Sequence, residues 1–513
     1  MKHYLFLFLM ALCGVCNILT GETKKMEVYY EDFGAKGDGR TDDQAAIIAA
    51  HEYANKNGLP VRANDQAVYY IGGGKEPAVI QTDVDFGKAR IIIDDRHVEN
   101  RWASVFEVRA SKETYDPQLK GPVREGQKKL DHAFPCKSMV IIYDDKVKHF
   151  IRWGVNHNDG TAATDCFLVD EEGNVDPATP IVWDFPEVTR AVAIPLEEKP
   201  LVIKGGIFTT IANREESKYS YFYRGISIQR CNVTVSGMCH LVEGEGDHGA
   251  PYNAFLYVTQ CANVVIRDCQ VTGRLTYKTA VAEGGEVTMG SYDLNANRVI
   301  NLSFLKVRQL NDILDTRYWG VLGTNFCKNL LYDNCYLSRF DAHCGVCNAT
   351  IRNSELGHQG LSIIGYGTFL LENSTIHGGS DMIGLRLDYG SFWRGDIIIR
   401  NSVFKCRSQG KACVIGGMNR GNHNFGYRCV MPWKITIDGL LIDDSVVNAH
   451  NPDYQGPFLL DNFNSDFKEG YREEFPYVRT KKVVARRVRT VSGKPVRLAM
   501  DPRFFAETIL EMK

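Results

Sequence analysis

Short apolar runs that end in a polar turn recur through the second half of the chain. Ile266-Arg267-Asp268-Cys269, Tyr332-Asp333-Asn334-Cys335, Ile351-Arg352-Asn353-Ser354, Leu371-Glu372-Asn373-Ser374 and Ile399-Arg400-Asn401-Ser402 share one form. In each, a strand-like segment enters Asn or Asp and then a small residue. Cys335 to Ser354 is 19 residues, Ser354 to Ser374 is 20 and Ser374 to Ser402 is 28. That period marks a stacked solenoid with one rung per repeat. Stacking lays like positions about 4.8 Å apart, so ladders of Asn, Ser and Cys arise for structural reasons. Cys269, Cys335, Cys344 and Cys406 are therefore read as small interior residues. Cys344-Gly345-Val346-Cys347 has redox-motif spacing, but it lies in a strand-like rung and lacks a second pair for zinc.

The first residues carry a different signal. Asp32-Phe33-Gly34-Ala35-Lys36-Gly37-Asp38-Gly39-Arg40-Thr41-Asp42-Asp43-Gln44 precedes an alanine-rich run, residues 45–50. The spacing predicts a glycine-permitted turn, Thr41 as N-cap with Gln44 completing a capping box, and a helix that ends near residues 55–58. This segment resembles the N-terminal signature of the pectate-lyase-like superfamily, most closely over residues 30–60 and, as a repeat pattern, over about 200–445. The resemblance implies an all-β fold, a right-handed parallel β-helix with an N-terminal capping α-helix. It also implies a carbohydrate-directed repertoire without selecting one reaction.

Residues 100–200 do not fit the short repeat. Strand-like runs at 139–143 and 191–194 and the turn Asn156-His157-Asn158-Asp159-Gly160 predict irregular early coils with an inserted β-rich excursion. The expected organisation is a signal segment over 1–21, cap helix and early coils over 22–200, regular β-helix over 201–450 and a cap or tail over 451–513. In that tail, Lys481-Lys482 and Arg486-Arg487-Val488-Arg489 alternate with valines, as in a solvated strand.

Composition narrows the partners. The 513 residues include 44% hydrophobic and 11% aromatic positions, enough for a large core. Sixty Lys+Arg against 62 Asp+Glu argue against a generally nucleic-acid-binding surface. Lys2 and His3 precede an apolar stretch, residues 4–12, too short to span a bilayer. It reads as a cleaved secretory signal, which predicts a secreted or periplasmic protein with no transmembrane segment. Removing Cys13 and Cys16 from the 15 cysteines leaves 13, an odd number that forbids a complete disulfide framework.

The richest polar constellation is Arg339-Phe340-Asp341-Ala342-His343-Cys344. Strand alternation sends Arg339, Asp341 and His343 to one exposed face, with Phe340, Ala342 and Cys344 in the core. Asp341 can then tune the His343 imidazole, while Arg339 neutralises a carboxylate. On the preceding coil, Asp315 and Arg317 share strand parity beside the candidate stacking aromatics Tyr318 and Trp319. Further on, Arg386 and Asp388 lie off the leucine face of Gly384-Leu385-Arg386-Leu387-Asp388-Tyr389. Counting four residues beyond Cys335 and Ser354 sets Arg339 beside His358 on adjacent rungs.

A long face with Arg, Asp, His and Tyr suits an extended acidic polysaccharide. The leading expectation is a lyase that cleaves a uronic-acid-containing polymer by β-elimination. His343 or Tyr389 is its base or acid, and Arg339, Arg317 or Arg386 the uronate-neutralising group. A glycoside hydrolase using Asp315, Asp341 and Asp388 is the alternative. A non-catalytic carbohydrate-binding β-helix is the third reading. Related β-helix lyases often use calcium, which makes calcium a candidate cofactor, although the chain has no tight acidic cluster. Oligomeric state is open.

Overall fold

The computed structural model describes residues 26–513 apart from 155, 214, 216–220, 247–249, 281–285, 321 and 469. The expected signal segment, with Cys13 and Cys16, lies outside the described residues. Nearly all described elements are strands, and those of the one large sheet pair in parallel, rung on rung. Leu256–Arg267 pairs with Leu294–Leu305, which pairs with Leu322–Asp333, which pairs with Phe340–Arg352. The series continues through Gly365–Glu372, Trp393–Cys406 and Lys434–Asp443. The fold is a parallel β-helix.

The turns explain the repeat. Asp268, Asn334, Asn353, Asn373 and Asn401 all have positive φ, between 42° and 56°. Asn and Asp tolerate this left-handed conformation better than other side chains bearing a Cβ. The small residue that follows closes the rung. Ser354 Oγ accepts from Cys335 N at 3.0 Å, Ser374 Oγ from Ser354 N at 3.1 Å and Ser402 Oγ from Ser374 N at 3.2 Å. A second corner holds an asparagine ladder. The side-chain amides of Asn263, Asn301, Asn329 and Asn348 each donate to the Oδ1 of the asparagine one rung earlier, beginning at Asn232.

The core fills the lumen, where Cys269, Cys335 and Cys406 pack among Ile, Leu, Val and Phe. Cys344 does not join them. It packs outside the lumen with Phe150, Cys347, Tyr366 and Tyr389, because the register slips there: Thr324 faces Ala342, but Asn325 faces Cys344. The extra residue and Gly345, at φ 88°, take Cys344 out of the lumen, and Val346 points back into it.

A helix is present at Gln44–Asn57, ending at Gly58 in the left-handed conformation. It packs on the Tyr30–Phe33 turn and on Ala78–Ile80. The expected capping box does not form. Thr41 lies in the strand Asp38–Asp42 and donates its hydroxyl to Asp38, while Asp43 is the N-cap residue. The Asp43 carboxylate is taken by Lys36 N and Gly37 N, and Gln44 Nε2 donates to Glu76 O.

Three antiparallel strands, Ser138–His149, Thr161–Val169 and Arg190–Pro195, make a separate sheet. The apolar runs at 139–143 and 191–194 are partners in it, with Ile142 opposite Ala191. This excursion leaves the solenoid after Phe106–Arg109 and returns at Leu201–Ile211, which pairs directly with Val84–Asp94. A buried ion pair, Asp165 to Lys328 at 2.7 Å, fastens it to the wall. Beyond residue 450, where the sequence suggests only a cap or tail, parallel stacking continues: Lys434–Asp443 pairs with Lys482–Thr490, which pairs with Ile509–Met512.

Candidate functional site

Arg339 and Asp341 are not on an exposed face. Asp341 is 1% exposed and holds two guanidinium groups, Arg339 Nη2 at 2.6 Å and Arg386 Nη1 at 2.8 Å. Arg386 also grips Asp388 through Nε at 3.1 Å and Nη2 at 2.7 Å. Asp388 in turn takes Arg152 of the excursion at 2.8 Å. The result is a continuous chain: Arg339, Asp341, Arg386, Asp388, Arg152. Burial pushes the Asp341 carboxyl up, but Arg339 and Arg386 outweigh it and hold the group below the usual carboxylate range. Residues 387–389 form a 3-10 turn and not the expected strand, which lets Arg386 and Asp388 pair with each other. Tyr389 is buried beneath Arg152 and Arg386, whose guanidinium carbons stand 5.7 Å and 5.6 Å from its ring centre.

His343 occupies the register slip at the edge of this chain and keeps part of its surface open. Its Nδ1 meets Asn325 Oδ1 at 3.1 Å and Cys344 Sγ at 3.3 Å. A carbonyl oxygen only accepts, so Nδ1 carries the proton and Nε2 keeps its lone pair. Burial and then Arg386 depress the imidazole pKa to about 4, leaving it neutral at physiological pH. The ring of Tyr389 stands edge-on to it at 5.7 Å.

The coil before is arranged differently from the expectation. Asp315 and Arg317 lie in a turn, not a strand, and pair with each other at 2.6 Å. The Arg317 side-chain contacts, aided by the Arg317 backbone amide, lower the exposed Asp315 carboxyl to about 2. Tyr318 has Arg317 over its ring, and Trp319 has Arg339 over its ring at 5.0 Å. His358 Nε2 donates to the Tyr318 carbonyl, 2.8 Å away, because that oxygen can only accept. Leu337 stands opposite Leu356 and Phe340 opposite Leu361, so Arg339 and His358 fall in the turn between two registers that differ by two residues.

A second charged group lies on the same sheet. The pairs Asp341 with Ser362, Ser362 with Gly384 and Gly384 with Gly416 run in register, and Ile415 opposite Leu460 sets Asp461 next. A Cβ at Gly416 would fall 2.1 Å from Asp381 Oδ2, so glycine is what lets that carboxylate lie over the rung. Burial and then the neighbouring Asp461 raise Asp381 to about 6, while Lys411 Nζ pairs with Asp461 at 2.5 Å. Sequence reading passed over Arg152, Asn325, Asp381 and Asp461. The pair Arg152-Trp153 beside a turn-rich stretch was the available signal for the first.

The Thr210, His240 and Asp293 side chains make a hydrogen-bonded row in triad order, 2.9 Å and 2.7 Å apart. All three are sealed from solvent and Phe255 stacks on the imidazole at 3.8 Å, so this row is structural. Among the described residues no three His, Cys, Asp or Glu side chains converge as a metal-holding group, which does not fit a calcium cage.

No protein-family model and no curated protein matches the chain. Its likenesses are structural. The chain shares its fold with two phage tailspikes. Tailspike gp61 of Pseudomonas phage phi297 is 14% identical with a TM-score of 0.51, over 91% of this chain and 80% of that one. Tailspike gp49 of Pseudomonas phage LKA1 is 14% identical with a TM-score of 0.52, over 92% and 82%. At such identity the likeness speaks for the parallel β-helix alone. Among the described residues no helix is long and apolar enough to cross a membrane.

Proposed function

We propose that the chain is a polysaccharide lyase that cleaves a uronic-acid-containing polymer by β-elimination at His343, as an extracellular protein. In the same reading the Gln44–Asn57 helix caps the solenoid. The observation that carries the proposal is the charge balance beside a neutral imidazole. Arg339, Arg386 and Arg152 are three cations, and Asp341 and Asp388 two anions, so the chain of ion pairs keeps one positive charge. Held in a partly dry site, that charge attracts a sugar carboxylate and stabilises the enolate that forms from it.

The chemistry follows. His343 Nε2 takes the proton α to the uronate carboxyl group. The C–H electrons form the new double bond as the bond to the glycosidic oxygen breaks. The imidazolium then returns its proton to that leaving oxygen. An imidazole depressed to about 4 is a weak base in the free protein, but the arriving carboxylate opposes Arg386 and lifts it toward its ordinary range. The test is absorbance of the unsaturated uronate during digestion of pectic, alginate and glycosaminoglycan polymers. No such signal from any uronate polymer rules the elimination out.

One observation favours hydrolysis as a second reading. Asp315, Asp341 and Asp388 are each engaged by arginine, which suits none of them as a proton donor. Asp381, raised to about 6 beside an Asp461 paired to Lys411, has the divided environments of an acid and an ionised partner. New reducing ends without unsaturated product, lost in Asp381→Asn, select this reading.

A further inference from the structure

The excursion and the late rungs enclose a track that leads away from the ion-pair chain. Trp153 N donates to Asp388 O at 2.9 Å, and Ile151 N to Phe425 O at 3.1 Å, so the Arg152-Trp153 segment is fixed between the solenoid and the 418–428 loop. His423 Nε2 meets Ile151 O at 3.2 Å and braces the same junction. A small hollow there is lined by Trp153, Leu387, Arg420 and His423. It shares Asn419 and His423 with a larger cavity of about 350 Å³ whose further wall is Arg428, Glu474 and Phe475. That volume is in the range of pockets that take small ligands.

The lining has the chemistry of a sugar site. Trp153 and Phe475 are 36% and 37% exposed, one at each end of the track. Flat apolar rings left in water at both ends of a groove can carry the apolar faces of pyranose rings. Asn424 brings an amide and Tyr427 a second ring, while the buried Asn419 amide is spent on Gly390 O and Gly421 N. Arg428 is exposed and, among the described residues, makes no ion pair, unlike Arg152, Arg339 and Arg386. A fork with five donors and no carboxylate of its own suits an acid group on the ligand. Arg420 already has Asp466 at 3.4 Å and is less available.

We propose that this cavity is a second binding subsite for the acidic polymer, in which Arg428 holds the carboxylate of one sugar unit and Phe475 carries a ring. The proposal rests on the uronate-polymer reading above and adds a place where chain length is sensed. A polymer that reaches from His343 past Trp153 to Phe475 gains contacts that a short oligomer lacks. Binding gained outside the reacting unit lowers the half-saturating concentration without entering the chemical step.

The experiment compares full-length protein with Arg428→Ala, Phe475→Ala and the double variant. Polygalacturonate, alginate and chondroitin sulfate are the probes, together with the trisaccharide of whichever polymer the wild type cleaves. The double variant is expected to raise KM for the polymer roughly tenfold, with kcat and the trisaccharide kinetics unchanged. Both positions are surface side chains, and an unchanged melting temperature checks that the fold holds. If the wild type binds a polymer without cleaving it, affinity electrophoresis reads the same loss as a rise in Kd. Wild-type KM or Kd in the double variant overturns the subsite while leaving cleavage at His343 standing. A wild type that neither cleaves nor binds any of the three polymers overturns the polysaccharide reading and the subsite with it.

Discussion

Arg152 of the excursion and Asp388 of the solenoid meet at 2.8 Å across the junction between the two sheets. This contact ends the buried chain that begins at Arg339, and it is what brings a third cation to two carboxylates. The excursion is thus part of the candidate site as well as an ornament on its rim.

Removing His343 separates chemistry from scaffold. His343→Ala is expected to lower turnover by about 10²–10⁴-fold with little change in melting temperature. The imidazole is depressed to about 4, so the acid limb of kcat/KM should lie nearer pH 4 than pH 6.5. Full activity in the variant, or a limb at 6.5, returns His343 to the scaffold.

Asp341 is the costliest member of the chain to lose. Asp341→Ala leaves Arg339 and Arg386 buried without their shared partner, and breaking a buried pair in this way costs about 3–5 kcal/mol. Arg317→Ala, which opens an exposed pair, should change stability by less than about 1 kcal/mol. Urea denaturation of both variants makes the comparison, and equal losses would count against the buried chain.

Asp381 gives stability a pH dependence of unusual sign. Its folded pKa, about 6, lies above the ordinary carboxyl value, so the folded state binds the proton more tightly than the unfolded one. Stability from this group is complete below about pH 4 and falls as the pH rises through 6. Asp381→Asn removes that fall, so its stability relative to wild type should improve by about 1–3 kcal/mol between pH 4 and 7. His149 and His343, both lowered to about 4, act oppositely and cost stability as the pH drops from 6.5.

The thiols offer a direct count. The 13 described cysteines are all free. Denaturation without reductant should therefore expose as many of these thiols as denaturation with it. A gain on adding reductant would mean that disulfides join the rungs.

The rungs were legible because each turn repeats one local requirement. A left-handed residue followed by a small hydrogen-bonding one leaves the same mark at Asn334-Cys335, Asn353-Ser354 and Asn373-Ser374. The site was legible only in part. Arg339, Asp341, Arg386 and Asp388 do converge, but strand parity misjudged their burial, since Trp319 and the excursion cover a face that an isolated rung leaves open. Cys344 was misassigned because one extra residue at the slip sets it opposite Asn325 and outside the lumen, while Val346 is back in the core. Arg152 and Asp388 are distant in sequence, and no local pattern announces a contact that the insertion alone creates.

The rungs on either side of that insertion touch each other, Ile203 against Val84 and Thr210 against Ile93. The stack is closed whether the intervening residues are many or few. An insertion of this kind can be trimmed, lengthened or exchanged while the turns beneath it stay as they are. Arg152 and Trp153 are then replaceable parts, and a lineage can retune what the groove accepts by editing one graft on an unchanged trunk.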